Sequence, residues 1–283
     1  MNLSIRALLL LCFISGAASA QTADDDAIPE TAPENTTKTA PATTVKTWEA
    51  GIGIGAISGP DYRGSKEYSH YVAPIPYFIY RGKYIQTDRD GVRGKLFTRE
   101  DIELNLSMSA SITPESDENK LREGMPELYS TVEFGPALNI NLTGDTFRDG
   151  WMMHLPLRGV VAVGGGDADY VGWLVHPQLA FRTQIEKWNF SFRTGVYYAS
   201  DDYHDHYYTV AEEYATASRP VFEADAGYSG WSNSWALSRA FDDYRIAFFI
   251  RYDNLRGAEF EDSPLVETTD SVAGGLALIW VIR

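Results

Sequence analysis

From Asp101 to Ile112 the chain alternates without exception. Ile102, Leu104, Leu106, Met108, Ala110 and Ile112 are apolar, and Asp101, Glu103, Asn105, Ser107, Ser109 and Ser111 stand between them. A period of two is the pattern of an extended strand whose faces meet unlike surroundings; a helix would repeat its apolar positions every three to four residues. The same dyad recurs down the chain. Trp48, Ala50, Ile52, Ile54 and Ala56 oppose Glu49 and the glycines 51, 53 and 55, and Val132, Phe134, Leu138 and Ile140 oppose Thr131, Glu133, Asn139 and Asn141. Met153, Leu155 and Leu157 oppose His154 and Arg158, while Trp173, Val175, Leu179 and Phe181 oppose His176, Gln178 and Arg182. Phe190 and Phe192 oppose Ser191 and Arg193, and Ile246, Phe248 and Ile250 oppose Arg245 and Arg251. Such segments match the roughly 9 to 11 residues with which a tilted β-strand crosses a bilayer.

Alternation alone also fits a soluble sandwich, so other features must choose. Most tryptophans (Trp48, Trp151, Trp173, Trp188, Trp280) fall at or near segment ends, where an aromatic girdle would meet the lipid boundary. Glu186-Lys187 and Asp242-Asp243 are short turns, whereas Thr113 to Glu127, Asp201 to Arg219 and Arg256 to Asp270 are long and polar. Short turns at one end and long loops at the other are the habit of outer-membrane barrels. The longest clean apolar run, Ala7 to Ile14, is far below the ~20 residues of a spanning helix. A formal charge of -15 argues against a nucleic-acid partner, which would need surplus Lys and Arg. The expected fold is therefore all-β, an antiparallel transmembrane β-barrel in contact with outer-membrane lipid.

Residues 1–20 read as a signal peptide, with Arg6, an apolar stretch and a small-residue Ala18-Ser19-Ala20 cleavage site. The only cysteine, Cys12, lies within it, so the exported chain carries no disulfide. Residues 21–46, acidic and rich in Pro and Thr, read as a disordered periplasmic linker, and residues 47–283 as the barrel. Both ends of the barrel should be periplasmic, which makes the strand count even. Ten strands put all three long loops outside, with Ser69 to Phe97 and Pro220 to Phe241 each giving one spanning strand; twelve is the alternative. Pro74 and Pro76 cannot both donate to a central ladder and suggest an edge-like stretch. Around Ser229 to Trp231 the apolar set changes phase, which requires a bulge or a turn.

No residue is expected to be catalytic, cofactor-binding or metal-ligating, and no cofactor is expected. His204-Asp205-His206 offers metal-ligand types, but no third ligand stands at a fixed spacing, which favours a solvated polar loop. His154 and His176 should face the lumen, but chain direction places them near opposite rims, some 25 Å apart, too far for shared acid–base work. Arg158, Arg182, Arg193, Arg245 and Arg251, with Glu49, Asp101, Glu103, Glu133 and Asp253, are expected on the inward face, filling the lumen by pairing rather than lining a pore. Tyr203, Tyr207, Tyr208 and Tyr214 suggest a contact surface or an extended girdle, and Gly51, Gly53 and Gly55 suggest close packing against the wall.

Four stretches carry a resemblance. Gly59 to Ser65 (GPDYRGS) with Pro74 to Phe78 (PIPYF) and Tyr80-Arg81-Gly82, then Arg122 to Leu128 (REGMPEL) before Glu133 to Pro136 (EFGP), then Tyr207-Tyr208, then Asp262 to Val266 (DSPLV), occur in the order found in the MipA/OmpV family of Gram-negative outer-membrane proteins, which the chain resembles from Trp48 to Arg283. The resemblance implies an outer-membrane location and a non-enzymatic scaffold, with a lytic murein transglycosylase and a murein synthase as partners; a surface binding protein or adhesin, or a narrow-pore permeation barrel, is the alternative, with a lipid-modifying barrel hydrolase behind both, and the resemblance brings no catalytic residues. The terminal Trp280-Val281-Ile282-Arg283 departs from the aromatic ending usual for such barrels, which implies weaker handling by the insertion machinery.

Overall fold

The computed structural model describes residues 48–80, 85–88, 91–114, 116–147 and 149–282; the leader and linker expected over residues 1–46 lie outside the described residues. One antiparallel sheet contains β1 (Trp48–Pro60), β2 (Tyr68–Tyr80), β3 (Ile85–Asp88), β4 (Gly91–Arg99), β5 (Ile102–Ser111), β6 (Ser130–Asn141) and β7 (Gly150–Gly164), followed by β8 (Asp167–Val175), β9 (Gln178–Ile185), β10 (Trp188–Ala199), β11 (Gly227–Ala240), β12 (Tyr244–Asn254) and β13 (Asp270–Ile282). Its order is β2-β1-β13-β12-β11-β10-β8-β7-β6-β5-β4-β3, with β9 pairing β10 and β7. The two ends of that path, β2 and β3, are consecutive in the chain and in contact.

Which face is buried decides the environment. On β5 Glu103 and Ser107 are 5% exposed and Asn105 not at all, whereas Ile102, Leu106 and Met108 are 38 to 40% exposed. Ile52, Ile54, Phe134, Leu157, Ile250 and Leu276 are likewise exposed, while Glu133, Asn139, Arg182, Arg245 and Asp253 are buried. A soluble protein hides its apolar face; this sheet hides the polar one, which is stable only if the outer face meets hydrocarbon. The fold is a transmembrane β-barrel with a polar interior.

β9 continues β8. Both pair with β7 and β10, with Val175 opposite Leu157 and Gln178 opposite His154, so the two fill one place in the sheet. The break falls at His176-Pro177, where proline has no N–H for the ladder. Among the described residues the path thus has twelve places, the alternative rather than the preferred ten. Pro220 to Phe241 does give one strand, but Ser69 to Phe97 gives three, β2, β3 and β4. The two additional strands come as a pair, so they leave every later loop on its expected end, and parity could not detect them. Pro74 and Pro76 lie within β2, the terminal strand of the continuous ladder, opposite Ile54 and Ile52.

The phase change in β11 is a bulge. Trp231 pairs with Val196 and Tyr228 with Tyr198, so β11 uses one residue more than β10, and Gly230 sits there at φ 92°. Gly51 and Gly53 let β1 pack closely: a side chain at Gly51 would strike the Trp280 carbonyl and Tyr77, and one at Gly53 would strike Ile279. Trp48, Trp151, Trp188 and Trp280 mark the rim where β1 begins and β13 ends, and Tyr68, Tyr198 and Tyr228 lie at the other; Trp173 instead lies along the wall, seventh in β8.

Candidate functional site

The three long loops and the short β1–β2 loop meet at the outer rim and build a cap. Its buried core is Tyr62, Leu128, Tyr207, Tyr208, Ala224, Leu255, Ala258 and Phe260, with Tyr208 stacked on Phe260 at 3.6 Å between ring centroids. Between strands a loop's peptide groups would otherwise face water, and here they are tied to one another. Tyr62 Oη donates to Leu265 O (2.8 Å), Tyr208 Oη to Arg63 O (2.9 Å), Ser263 Oγ to Tyr208 O (2.6 Å) and Arg122 Nη1 to Tyr207 O (3.0 Å). Asn119 Nδ2 donates to Asp61 Oδ2 at 2.9 Å, and Arg219 Nη1 to Leu121 O at 2.5 Å. Burial pushes the hydroxyls of Tyr62, Tyr207 and Tyr208 up and the Arg122 guanidinium down from their ordinary pKa values.

One helix, α1 (Asp201–Tyr208), carries the cap's aromatic centre. Ser200 Oγ caps it, accepting from Tyr203 N at 3.2 Å and from Trp173 N at 3.1 Å. The close approach needs Gly172, at φ 103°, where any side chain would collide with Ser200 Oγ. Helical geometry overturns two readings of this loop. Tyr207 and Tyr208 are core residues and Tyr203 packs against them, so these three form neither a sticky surface nor a girdle. His204 and His206 do not share a strand face, nor is the stretch a solvated loop. Fully buried His204 donates from Nδ1 to Asp225 O (2.6 Å) and accepts at Nε2 from Ser229 Oγ (2.6 Å), while His206 Nε2 donates to Tyr129 O at 3.4 Å. Burial lowers both imidazoles, His206 to about 4. No group of three metal-ligating side chains occurs among the described residues.

Within the lumen the expected charges pair. Arg158 Nη1 meets Glu133 Oε2 at 3.1 Å and Nη2 donates to Ser107 Oγ at 2.8 Å; Arg245 Nη2 meets Glu49 Oε2 at 2.8 Å; Arg251 Nη2 meets Asp253 Oδ1 at 2.7 Å. Arg182 Nη1 donates to Phe147 O at 3.1 Å. Glu103 Oε1 accepts from Asn105 (2.9 Å) and Asn139 (3.2 Å), and Asn139 Oδ1 in turn accepts from His154 Nδ1 at 2.5 Å. Asp101 is the exception, exposed in the turn between β4 and β5.

Between the cap and this network lies a cavity of about 400 Å³. Asp61, Tyr62 and Arg63 close it from the cap, and Arg158, Arg193, Arg251, His154 and His176 line its wall. The two histidines are thus brought together, against the expectation of opposite rims. The face read from the dyad is right and the height wrong, because His176 lies at the β8–β9 break in mid-wall and not at a strand start. Gln178, directly opposite His154 in the ladder, donates from Nε2 to His176 Nδ1 at 2.7 Å. Glu133, Arg158, Arg193, Arg251 and Asp253 line it as the dyad placed them; Arg63 was not among the expected lumen charges because it stands in a loop, outside the dyad.

Parts of all four stretches that carry the family resemblance, scattered over two hundred residues of sequence, converge in space: Tyr62, Arg63, Arg122, Leu128, Tyr207, Tyr208, Ser263 and Leu265 hold the cap together, while Pro74 to Phe78 and Glu133 to Pro136 lie in the walls of β2 and β6. The family model described as MltA-interacting protein MipA matches residues 52–282. Outer membrane protein Omp26La of Vibrio anguillarum is 23% identical over 223 residues, covering 77% of this chain and 80% of its own. Among solved structures, the Pseudomonas putida toluene transporter TodX aligns at 9% identity with a TM-score of 0.33, over 84% of this chain and 89% of its own. Pseudomonas aeruginosa OccK2 (OpdF) aligns at 9% identity with a TM-score of 0.23, over 83% and 97%. With a family match over nearly all the described strands, an inside-out sheet and a relative in the outer membrane, the chain is a Gram-negative outer-membrane protein and belongs to the MipA family.

Proposed function

We propose that this barrel is a non-enzymatic, non-conducting anchor that holds periplasmic murein-modifying enzymes, a lytic murein transglycosylase and a murein synthase, at the inner face of the outer membrane. The observation that carries this reading is the filling of the lumen. The cap narrows the outer mouth over the partly open cavity beneath it, and paired side chains such as Arg245–Glu49 and the Glu103–Asn139–His154 chain occupy the inner half. A barrel filled in this way works through its rims rather than through a channel. The description of the matching family as MltA-interacting supports a murein enzyme as the partner. Tyr203, Tyr207 and Tyr208, three of the four tyrosines that would make an adhesive outer surface, are instead packed into the cap, which favours the inner rim.

The test is co-purification from chemically crosslinked envelopes, with an unrelated outer-membrane barrel as control. Enrichment of a transglycosylase and a synthase with this protein, and not with the control, is the expected result. Recovery of neither enzyme rejects the reading. In planar bilayers the intact protein is expected to give no stable conductance steps.

A further inference from the structure

We propose that the cavity beneath the cap binds a small organic carboxylate with an apolar body, its charge held by Arg63 and Arg251. Arg63 Nε and Arg251 Nη2 converge on a single oxygen, Asp253 Oδ1, at 3.2 and 2.7 Å. One carboxylate balances one guanidinium and leaves the other in excess. Arg63 Nη2 and Arg251 Nε are buried, with no hydrogen-bond partner among the described residues. Buried donors without acceptors are costly, and an anion entering the cavity supplies the acceptor. Both groups lie over the ring of Tyr197, at 4.4 and 5.6 Å from its centroid, and that ring stacks on His176, so the fork is held before any ligand arrives.

The surrounding charge favours the same chemistry. The protein as a whole is strongly acidic, yet four arginines and only three acids line this cavity. Asp61 is occupied by Ser69 and Asn119, and Glu133 by Arg158, so neither is available to neutralise the Arg63–Arg251 pair. Planar guanidinium forks match carboxylates in shape. The lining also includes the apolar side chains of Ile57, Tyr71, Ile112 and Phe249, which an inorganic anion would leave unused. The volume lies in the roughly 300 to 1,000 Å³ range of small-molecule sites. Nothing in this site depends on the anchoring role.

The experiment is calorimetric titration of the mature protein, folded in detergent, with 4-phenylbutyrate, its uncharged amide and inorganic phosphate, against detergent alone. Saturable binding of the carboxylate at one site per chain is expected, with the amide and phosphate each weaker by about tenfold or more, the effect of losing a charge-assisted bond or the apolar contacts. Arg251→Gln is expected to weaken carboxylate binding by about tenfold, Ser109→Phe to abolish it by placing a ring in the cavity while leaving both arginines in the sequence, and Arg256→Gln, outside the cavity, to leave it unchanged. Absence of saturable binding at millimolar carboxylate, equal affinity for the amide or for phosphate, or undiminished binding in Ser109→Phe overturns the proposal. Should Arg251→Gln fail the heat-shift test for a folded barrel, the ligand comparison and Ser109→Phe still decide.

Discussion

A guanidinium inside the lumen has no water shell to fall back on, so each one must be met by the wall. Arg158 is met twice, by Glu133 and Ser107. Arg158→Ala leaves Glu133 buried and alone, at an expected cost of about 3 to 5 kcal/mol, whereas replacing both residues by glutamine should cost less than the two single changes together. Both are measured as the temperature at which the detergent-folded barrel loses its anomalous electrophoretic mobility. Gly230 makes a second case. Its φ of 92° suits glycine alone, and a methyl group would also run into the Asn254 carbonyl, so Gly230→Ala should destabilise the barrel by more than about 1 kcal/mol in the same assay. At this scale sequence told which residues face inward, because that is a property of the dyad. It could not tell which inward residues line the same cavity, as His154 and His176 do, since height depends on where a strand starts and whether it is interrupted.

The element that differs most from its sequence reading is the loop between β10 and β11. Asp201 to Tyr208 is short, acidic and aromatic, and in isolation would be a solvated loop; it is a helix because Ser200 caps it and because the cap buries its tyrosines. That burial has a pH consequence. His206 has a folded-state pKa of about 4, below the ordinary 6.5, and His204 is lowered too. Above pH 6.5 folded and unfolded forms are both neutral and nothing is gained or lost. As pH falls from 6.5 toward 4, the unfolded loop takes up a proton that the folded cap refuses, so the cap weakens through that window and levels off below it. Near-ultraviolet circular dichroism of the cap tyrosines should show a melting midpoint that falls between pH 7 and pH 4.5, and His206→Phe should flatten part of that slope. A midpoint independent of pH in the unaltered protein contradicts the assignment.

For the molecule as a whole, the inside-out arrangement requires that lipid replace the missing outer core. Leu106 is 40% exposed in the middle of β5, with Asn105 fully buried beside it. Leu106→Arg should therefore cost about 2 to 4 kcal/mol, as expected for a charge facing the bilayer midplane, and deplete folded protein from outer-membrane fractions. In a soluble protein the same exposed position would tolerate arginine within about 0.5 kcal/mol. Unheated samples should migrate anomalously and shift on boiling, and removal of residues 202–223 should leave bilayer conductance at background because the inner half of the lumen is filled independently of the cap.

Strand identity, the polarity of each face and the location of long and short connections followed from the sequence, since each is written in residues adjacent along the chain. The ordered stretches that resemble the MipA family were legible too, though not their purpose. What only the tertiary structure decided are relations between distant segments: that Ser69 to Phe97 folds as three strands, that β8 and β9 share one place, that the loop parts of the four stretches build a single cap, and that Arg63 and Arg251 meet at Asp253. The physical reason is the same in each case. A period of two is set by the backbone of one strand, whereas register, height and loop contact are set by which partner satisfies each buried hydrogen-bonding group, and that partner stands far away in sequence.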